Sequence, residues 1–254
     1  MIFRQLFDRE SCTYTYLLGE EASGECVLVD SVIDHVERDV RIIEELGLTL
    51  KYTLETHVHA DHITGSGTLR QRLGSEVVMC VTGGAPTADI LVDDGRTLRF
   101  GDERIVVRTT PGHTSTCVSY HLPDHRMLFT GDALFIRGCG RTDFQSGDSV
   151  TLYRSIHDKV FTLPADTRIF PGHDYKGHTE STVAEEREHN PRLGGGRSVD
   201  EFVKIMADLK LSRPAKIHIA LPANQNCGLP VAASSESGAA QAALDSSGSS
   251  TEVL

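Results

Sequence analysis

The chain has 254 residues, of which 39% are hydrophobic and 24% charged, and its formal net charge at pH 7 is -11. This length and hydrophobic content are enough for a large buried core, and α/β folds of this size often form one domain. The acidic charge disfavours nucleic acid as a partner, because phosphate binding needs clustered Lys and Arg side chains.

No apolar run approaches the roughly 18 to 20 residues that cross a bilayer, so we expect no membrane partner. The first residues carry Asp8, an acid too early for a signal or transit peptide, which favours a cytoplasmic location. Six cysteines lie far apart with no Cys-x-x-Cys pair, and this spacing predicts free thiols.

Short β-rich runs alternate with helical patterns along the chain. Val36, Val40 and Ile43 share one face of a predicted helix that ends near Gly47. Strands are predicted at 14–18, 26–30, 52–56, 76–81, 97–100, 105–109, 117–122, 127–130 and 168–170. So many strands exclude a helical bundle and indicate the α/β class.

Two later segments, 152–160 and 202–209, repeat apolar residues at helical spacing and are predicted to lie on a sheet surface. Ser198 and Glu201 fit a capping box at the start of the second helix. Residues 231–254 are rich in Ala, Ser and Gly and hold no Lys or Arg. We therefore predict a catalytic domain at 1–230 and a disordered tail at 231–254.

The densest group of potential metal ligands follows the strand predicted at 52–56. It comprises His57, His59, Asp61 and His62. Imidazole and carboxylate groups bind borderline divalent metals, and a turn after a strand can direct several of them at one point. A single histidine is more often a solvated or core residue than a ligand, but chance does not readily explain four such residues within six positions.

Three further strands run into a tight turn that carries one potential ligand each, namely His113, Asp132 and His173. Side chains at the ends of several strands can converge at one edge of a layered sheet, where α/β folds generally build their sites. The sequence therefore predicts one metal centre assembled from four separate strand ends.

This ligand set, in its order and spacing, resembles the metal motif of the metallo-β-lactamase superfamily over residues 1 to about 230. The resemblance implies an αββα sandwich with the metal at the mouth between two sheets. Two activities of the superfamily compete: a glyoxalase II-like thioester hydrolase with two metals, and a persulfide dioxygenase with one iron. The hydrolase would engage every ligand position, with Asp132 as the bridge.

Segments outside the ligands favour the dioxygenase. Residues 131–145, 171–179, 185–192 and 221–224 are similar to persulfide dioxygenases. Glyoxalase II shares the Gly-Cys-Gly-Arg portion, but it usually carries an added helical substrate domain for which this chain has no room. We therefore expect a sulfur dioxygenase, with the hydrolase as the alternative.

Carried over residue by residue, the resemblance makes His57, His113 and Asp132 the ligands of one Fe(II) per chain. It leaves His59, Asp61, His62 and His173 around a second metal position that stays empty, where they orient the ligands. All the residue types that a second metal would need are nevertheless present.

The implied substrates are glutathione persulfide and O2, and the products are sulfite and glutathione. Glutathione carries two carboxylates, which suit the planar guanidinium of Arg. By resemblance Arg141, Tyr175 and Arg192 line its pocket, with Thr114 nearby. Cys139 is predicted not to be catalytic, and the sequence leaves open whether it is structural or an adventitious target of oxidation. The sequence leaves open whether the chain forms a homodimer and whether a sulfurtransferase supplies the persulfide.

Overall fold

The computed structural model describes residues 1–230 and has two six-stranded sheets with helices on their outer faces. The strands are β1 Ile2–Phe7, β2 Tyr14–Gly19, β3 Glu25–Val29, β4 Thr49–Leu54, β5 Glu76–Cys80, β6 Ile90–Val92, β7 Thr97–Phe100, β8 Glu103–Thr109, β9 Val118–Leu122, β10 Met127–Gly131, β11 Arg168–Pro171 and β12 Ser181–Thr182. The α-helices are α1 Val36–Glu45, α2 Ser66–Leu73, α3 Ser149–Ser155, α4 Val183–His189, α5 Val199–Ala207 and α6 Ile217–Gln225. Shorter helical turns are Ile33–His35, Val81–Gly83, Pro123–His125 and Ile156–Val160.

The first sheet has the order β1-β2-β3-β4-β5-β6, and the second has the order β12-β11-β10-β9-β8-β7. In the first sheet β3 to β6 pair in parallel, whereas β1, β2 and β3 pair antiparallel. The second sheet is antiparallel except for the parallel pair of β10 and β11. Parallel strands need crossover connections, and α1 and α2 supply these on the outer face of the first sheet.

The principal core lies between the sheets and joins side chains from both. Tyr16 of β2 packs against Phe129 of β10 and Phe170 of β11, with ring centroids 4.9 Å and 5.7 Å away. Two outer cores complete the layers: α1 and α2 cover the first sheet, and α3 and α5 cover the second. Burial on both faces explains why strands such as β2 read as continuous apolar runs. The predicted αββα sandwich is confirmed.

All nine strands predicted from the sequence are present within two to three residues of their expected bounds. The predicted capping box is also present, because the Ser198 side chain accepts a hydrogen bond from the backbone N–H of Glu201 and the Glu201 carboxylate accepts one in return. The disordered tail predicted at 231–254 lies outside the described residues. All six cysteines are free thiols.

Candidate metal centre

The predicted ligands come together where strands of both sheets end. His57 follows β4, whereas His113, Asp132 and His173 follow β8, β10 and β11 of the second sheet. The two sheets meet here through the backbone, since Val118 of β9 donates its N–H to the carbonyl of Thr56, at 2.8 Å. The site is therefore built across both halves of the sandwich.

Two glycines allow these turns to approach each other closely. Gly131 has φ +50, and a Cβ atom there would overlap the side chain of Thr56. A Cβ on Gly172 would lie 2.7 Å from Oδ1 of Asp132. The glycine before Asp132 and the glycine before His173 are therefore required for the ligand-bearing turns to pack against one another.

His57, His113 and Asp132 form a compact group of potential donors. One ligand atom from each lies within 4.8 Å of the others, and all three residues are buried. The Nδ1–H of His113 donates to the carbonyl oxygen of Arg141, at 2.6 Å. This bond turns Nε2 of His113 towards Asp132, whose Oδ2 lies 3.6 Å away.

The protonation states of these groups suit a cation. Burial, reinforced by the neighbouring charge of His59, lowers the pKa of His57 well below its ordinary value, so the imidazole is neutral. Burial raises the pKa of Asp132, but His173 and then His57 and His113 outweigh it and hold that pKa below its usual range. Two imidazoles and a carboxylate are the donor set of mononuclear non-haem iron sites. The residues fit a divalent metal.

A second donor group lies beside the first and consists of His59, Asp61 and His62, again within 4.8 Å of one another. Nδ1 of His59 and Nε2 of His62 are buried and have no hydrogen-bond partner within residues 1–230. The opposite nitrogens are engaged: Nε2 of His59 lies 3.1 Å from Asp30, and Nδ1 of His62 lies 2.9 Å from Asp61. This group, too, could contribute metal ligands.

His173 lies between the two groups and contacts a carboxylate at each ring nitrogen. Its Nδ1 lies 2.6 Å from Oδ1 of Asp132, and its Nε2 lies 2.9 Å from Oδ2 of Asp61. Burial opposes a positive charge on this ring, but Asp132 and Asp61 together raise its pKa well above the ordinary value. His173 therefore orients Asp132 and leaves Oδ2 of that carboxylate available.

Three residues that the sequence did not single out as site residues support the ligand loop. Asp30, at the end of β3, accepts hydrogen bonds from the backbone N–H and the hydroxyl of Thr56, both at 2.8 Å. Asn224 of α6 donates to the carbonyls of His59 and His62 and accepts from the N–H of Thr64. Thr13, before β2, contacts His173. Of the three, only Asn224 could have been found from the sequence, because it ends the segment 221–224 that is similar to persulfide dioxygenases.

A cavity of about 460 Å³ opens beside the donor group. His57, His113, Asp132 and His173 line its inner end, and Arg141, Tyr175 and Arg192 line the remainder. Thr114 is not among the described residues that line it: its hydroxyl is 2.9 Å from that of Thr116 and 3.2 Å from Sγ of Cys117. Three of the four predicted substrate contacts therefore border the cavity.

The cations around this cavity differ in how they are paired. Arg141 forms two bonds to Asp143, donates to the carbonyls of Leu211 and Ser212, and lies over the ring of Phe144. Arg137 is paired with Glu185 and Glu186. By contrast, Lys176 and Arg192 have no carboxylate partner within residues 1–230, and Arg192 donates to the carbonyl of Cys139 at 2.8 Å.

Tyr175 and Cys139 also line the cavity, and the sequence analysis made a prediction for each of them. Tyr175 is 68% exposed, and its ring lies parallel to that of His173 at 6.0 Å between centroids, so it forms a free apolar wall. Cys139 is buried, and burial raises its pKa to about 11 despite the neighbouring Arg192. A thiol with so high a pKa is a poor nucleophile at neutral pH, in agreement with the expectation that Cys139 is not catalytic.

Comparison with known proteins decides the family. The sequence profile described as "Metallo-beta-lactamase superfamily" matches residues 11–173. The chain belongs to this superfamily. It is 54% identical over 230 residues to "Persulfide dioxygenase ETHE1, mitochondrial" from Homo sapiens, which covers 90% of this chain and 89% of that protein. The predicted resemblance to persulfide dioxygenases is therefore confirmed.

A solved structure gives the same relationship. The crystal structure of ETHE1 from Myxococcus xanthus superposes with a TM-score of 0.87 at 52% identity, covering 90% of this chain and 100% of that one. A "Hydroxyacylglutathione hydrolase" from Brucella ovis is more distant, at 32% identity over 184 residues, with 72% of this chain and 70% of that protein covered. The hydrolases are thus the more remote relatives.

The predicted cytoplasmic location is wrong by the same comparison, because the human, bovine and mouse relatives are named as mitochondrial proteins. The early Asp8 was a poor guide, since neither the fold nor its chemistry depends on one compartment. Within residues 1–230, no helix has both the length and the apolar character needed to cross a bilayer.

Proposed function

We propose that the protein is a persulfide dioxygenase that converts glutathione persulfide, O2 and water into sulfite and glutathione. The observation that carries this proposal is the group of His57, His113 and Asp132 at the inner end of a cavity. Two of the cations that border this cavity have no carboxylate partner in the described part of the chain. The identity of 54% to the human persulfide dioxygenase, across nearly the whole of both chains, supports the same reaction.

We assign His57, His113 and Asp132 as the ligands of one Fe(II) per chain. Ferrous iron held by two imidazoles and one carboxylate would keep positions open at which a sulfur donor and O2 can meet. The protein's own contribution is orientation. The Arg141 carbonyl fixes the His113 ring through Nδ1, and His173 fixes the Asp132 carboxylate through Oδ1.

The cavity supplies groups that suit glutathione. Arg192 and Lys176 border it and have no carboxylate partner among the 230 described residues, so each can pair with a substrate carboxylate. Tyr175 offers an exposed ring beside His173, against which the peptide backbone of glutathione can pack. Arg141 shapes the cavity wall through Asp143 and Phe144, and its contact with substrate would be additional to these bonds. A sulfurtransferase is the class of enzyme that would supply this persulfide.

A thioester hydrolase with two metals is the second candidate. The observation in its favour is the adjoining group of His59, Asp61 and His62, in which two buried nitrogens have no partner within residues 1–230. Against it, both ring nitrogens of His173 already contact carboxylates. A binuclear site would need His173 to release Asp61 and bind the second metal instead.

Elemental analysis and oxygen uptake on the same anaerobically purified protein test the assignment. We expect about one iron per chain, together with O2 consumption and sulfite formation in equal amounts when glutathione persulfide is added. A glutathione thioester serves as the matched control and should not be cleaved. Two zinc ions per chain with thioester cleavage and no oxygen uptake would replace the dioxygenase by the hydrolase.

A further inference from the structure

Thr13 occupies an unusual position for a buried threonine. It lies between β1 and β2, is fully buried, and directs its hydroxyl at the donor group that a second metal would use. Oγ1 of Thr13 lies 3.0 Å from Nε2 of His173, 3.3 Å from Nδ1 of His62 and 3.5 Å from Oδ2 of Asp61. One hydroxyl therefore contacts three of the four residues left over from the proposed iron site.

The direction of the contact with His173 is decisive. A metal bound to an imidazole nitrogen lies in the ring plane about 2.0 to 2.1 Å from that nitrogen. Two oxygens already lie on that side of Nε2: Oδ2 of Asp61 at 2.9 Å, which a second metal could keep as a ligand, and the Thr13 hydroxyl at 3.0 Å. A metal placed there would come within about 2 Å of the hydroxyl oxygen. Because a neutral hydroxyl is a weak ligand, Thr13 would have to move aside.

The backbone opposes such a movement. Thr13 and His173 form an antiparallel β-bridge, and the N–H of Tyr14 donates to the carbonyl of Gly172 at 2.8 Å. The hydroxyl is also held from behind by Oγ of Ser11, at 2.7 Å, and Ser11 in turn contacts Asp8. The backbone pairing therefore keeps the two residues side by side, and rotating the hydroxyl away from the imidazole would break its contact with Ser11.

We propose that Thr13 keeps the centre mononuclear, because its hydroxyl fills the coordination direction of His173 that a second metal ion would require. The inference rests on the proposed one-metal function. Thr13 would then explain why the site binds one metal ion rather than two, although every ligand type of a two-metal site is present. Thr13 acts here as a positioning residue.

The test counts metal ions in the full chain. Wild type, T13S and T13A are saturated with Zn²⁺, desalted and measured by mass spectrometry of the metal, with thermal melting as a check of folding. We expect about one zinc per chain for wild type and T13S, which keeps the hydroxyl, and about two for T13A. Isothermal titration should show at least about a tenfold gain in affinity for the second ion in T13A.

A second variant, T13C, nearly preserves the side-chain volume and adds a possible metal ligand at the same position. In T13C a thiolate would replace the hydroxyl beside His173 and Asp61. Titration with Co²⁺ should give a second bound cobalt and a thiolate-to-cobalt absorption band that wild type lacks. If neither T13A nor T13C binds more than one metal, the role of Thr13 is refuted.

The two proposals fail in different ways. A wild-type chain that takes up O2 with persulfide at one metal, alongside T13A and T13C variants that also bind one, would refute only the role of Thr13. A wild-type chain that itself binds two zinc ions and cleaves a thioester would refute the proposed function as well.

Discussion

At the scale of single residues, each candidate ligand is oriented by a hydrogen bond to the atom that faces away from the metal centre. Nδ1 of His113 is taken by a backbone carbonyl, and Oδ1 of Asp132 is taken by His173. Fixing one side of a ring or carboxylate fixes the tautomer and direction of the other side, as the outer partners of metal ligands generally do. The geometry therefore predicts which atom of each residue donates to a metal.

Replacing Asp132 by Asn tests the carboxylate of this group. Asn keeps the shape but loses the charge and the second oxygen, and within the described chain no other carboxylate belongs to the group with His57 and His113. Loss of an outer partner alone costs about 10- to 100-fold in metal affinity, so we expect a loss of more than about 100-fold. Anaerobic iron titration and oxygen uptake with persulfide measure it.

Asp61→Asn is the matched control, since Asp61 lies across His173 from Asp132 and is not assigned to the iron. It should keep about one iron per chain and lose affinity by no more than the roughly 10- to 100-fold of an outer partner. Equal loss of iron in both variants would contradict the assigned ligand set.

At the scale of secondary-structure elements, α6 supports the ligand loop from a distant part of the chain. Asn224 spans the backbone of His59, His62 and Thr64 with three hydrogen bonds of 2.8 to 2.9 Å, and it is buried. Gly67, at the start of α2, donates its N–H to the carbonyl of Cys227 at 2.8 Å and strengthens the same attachment. The helix thus holds the loop that carries the histidines.

Asn224→Ala should weaken both the fold and the metal site. The change leaves two buried carbonyls and one N–H without partners, and each such group costs about 1 to 3 kcal/mol. We expect a lower melting temperature and roughly 10- to 100-fold weaker iron binding. Asn226→Ala, in the turn that follows α6 and bonded only to local carbonyls, is the control and should change neither by as much. Unchanged iron affinity in Asn224→Ala would contradict this role.

The elements that sequence reasoning found and missed differ for a physical reason. Strands buried on both faces, such as β2 and β10, read as apolar runs and were predicted correctly. The three missed strands are β1, which is only partly buried along its length, β6, which has three residues, and β12, which has two, so none of them gives a clear periodic signal. α6 contains Pro222, which ordinarily ends a helix, and its stability comes from tertiary contacts that local sequence cannot reveal.

The candidate site shows the same division. Histidines and aspartates that follow predicted strands could be placed at one edge from the pattern alone. Thr13, Asp30 and Asn224 could not, because Thr, Asp and Asn are common in loops and their importance depends on what they touch in space. The pairing of Arg141 with Asp143 likewise follows from side-chain geometry, which the sequence does not contain.

At the scale of the whole molecule, a buried histidine in the second sheet couples the fold to pH. His121 of β9 is 6% exposed, and burial, then Arg108 and Arg104, lower its pKa from 6.5 to about 4, although Asp124 opposes the shift. The unfolded chain therefore binds a proton at higher pH than the folded chain does. Stability contributed by neutral His121 is complete above about pH 6.5 and is lost as the pH falls towards 4.

His121→Gln should remove this part of the acid sensitivity, because Gln does not titrate. Between pH 7 and about pH 4.5 we expect wild type to lose on the order of 2 kcal/mol more unfolding free energy than the variant. Urea unfolding of both proteins at matched metal loading measures the difference. Parallel pH profiles for the two proteins would show that His121 does not contribute.

The route of the chain through the site has a mechanical consequence. His57 belongs to the turn after a strand of one sheet, whereas His113 and Asp132 belong to turns of the other. An ion held by these three side chains would cross-link the two sheets of the sandwich. Its binding free energy would then add to the free energy of unfolding. Removing the ion with a chelator would then weaken the contact between the sheets, which the hydrogen bond from Val118 to Thr56 also makes. The same ion would therefore serve both catalysis and the stability of the fold.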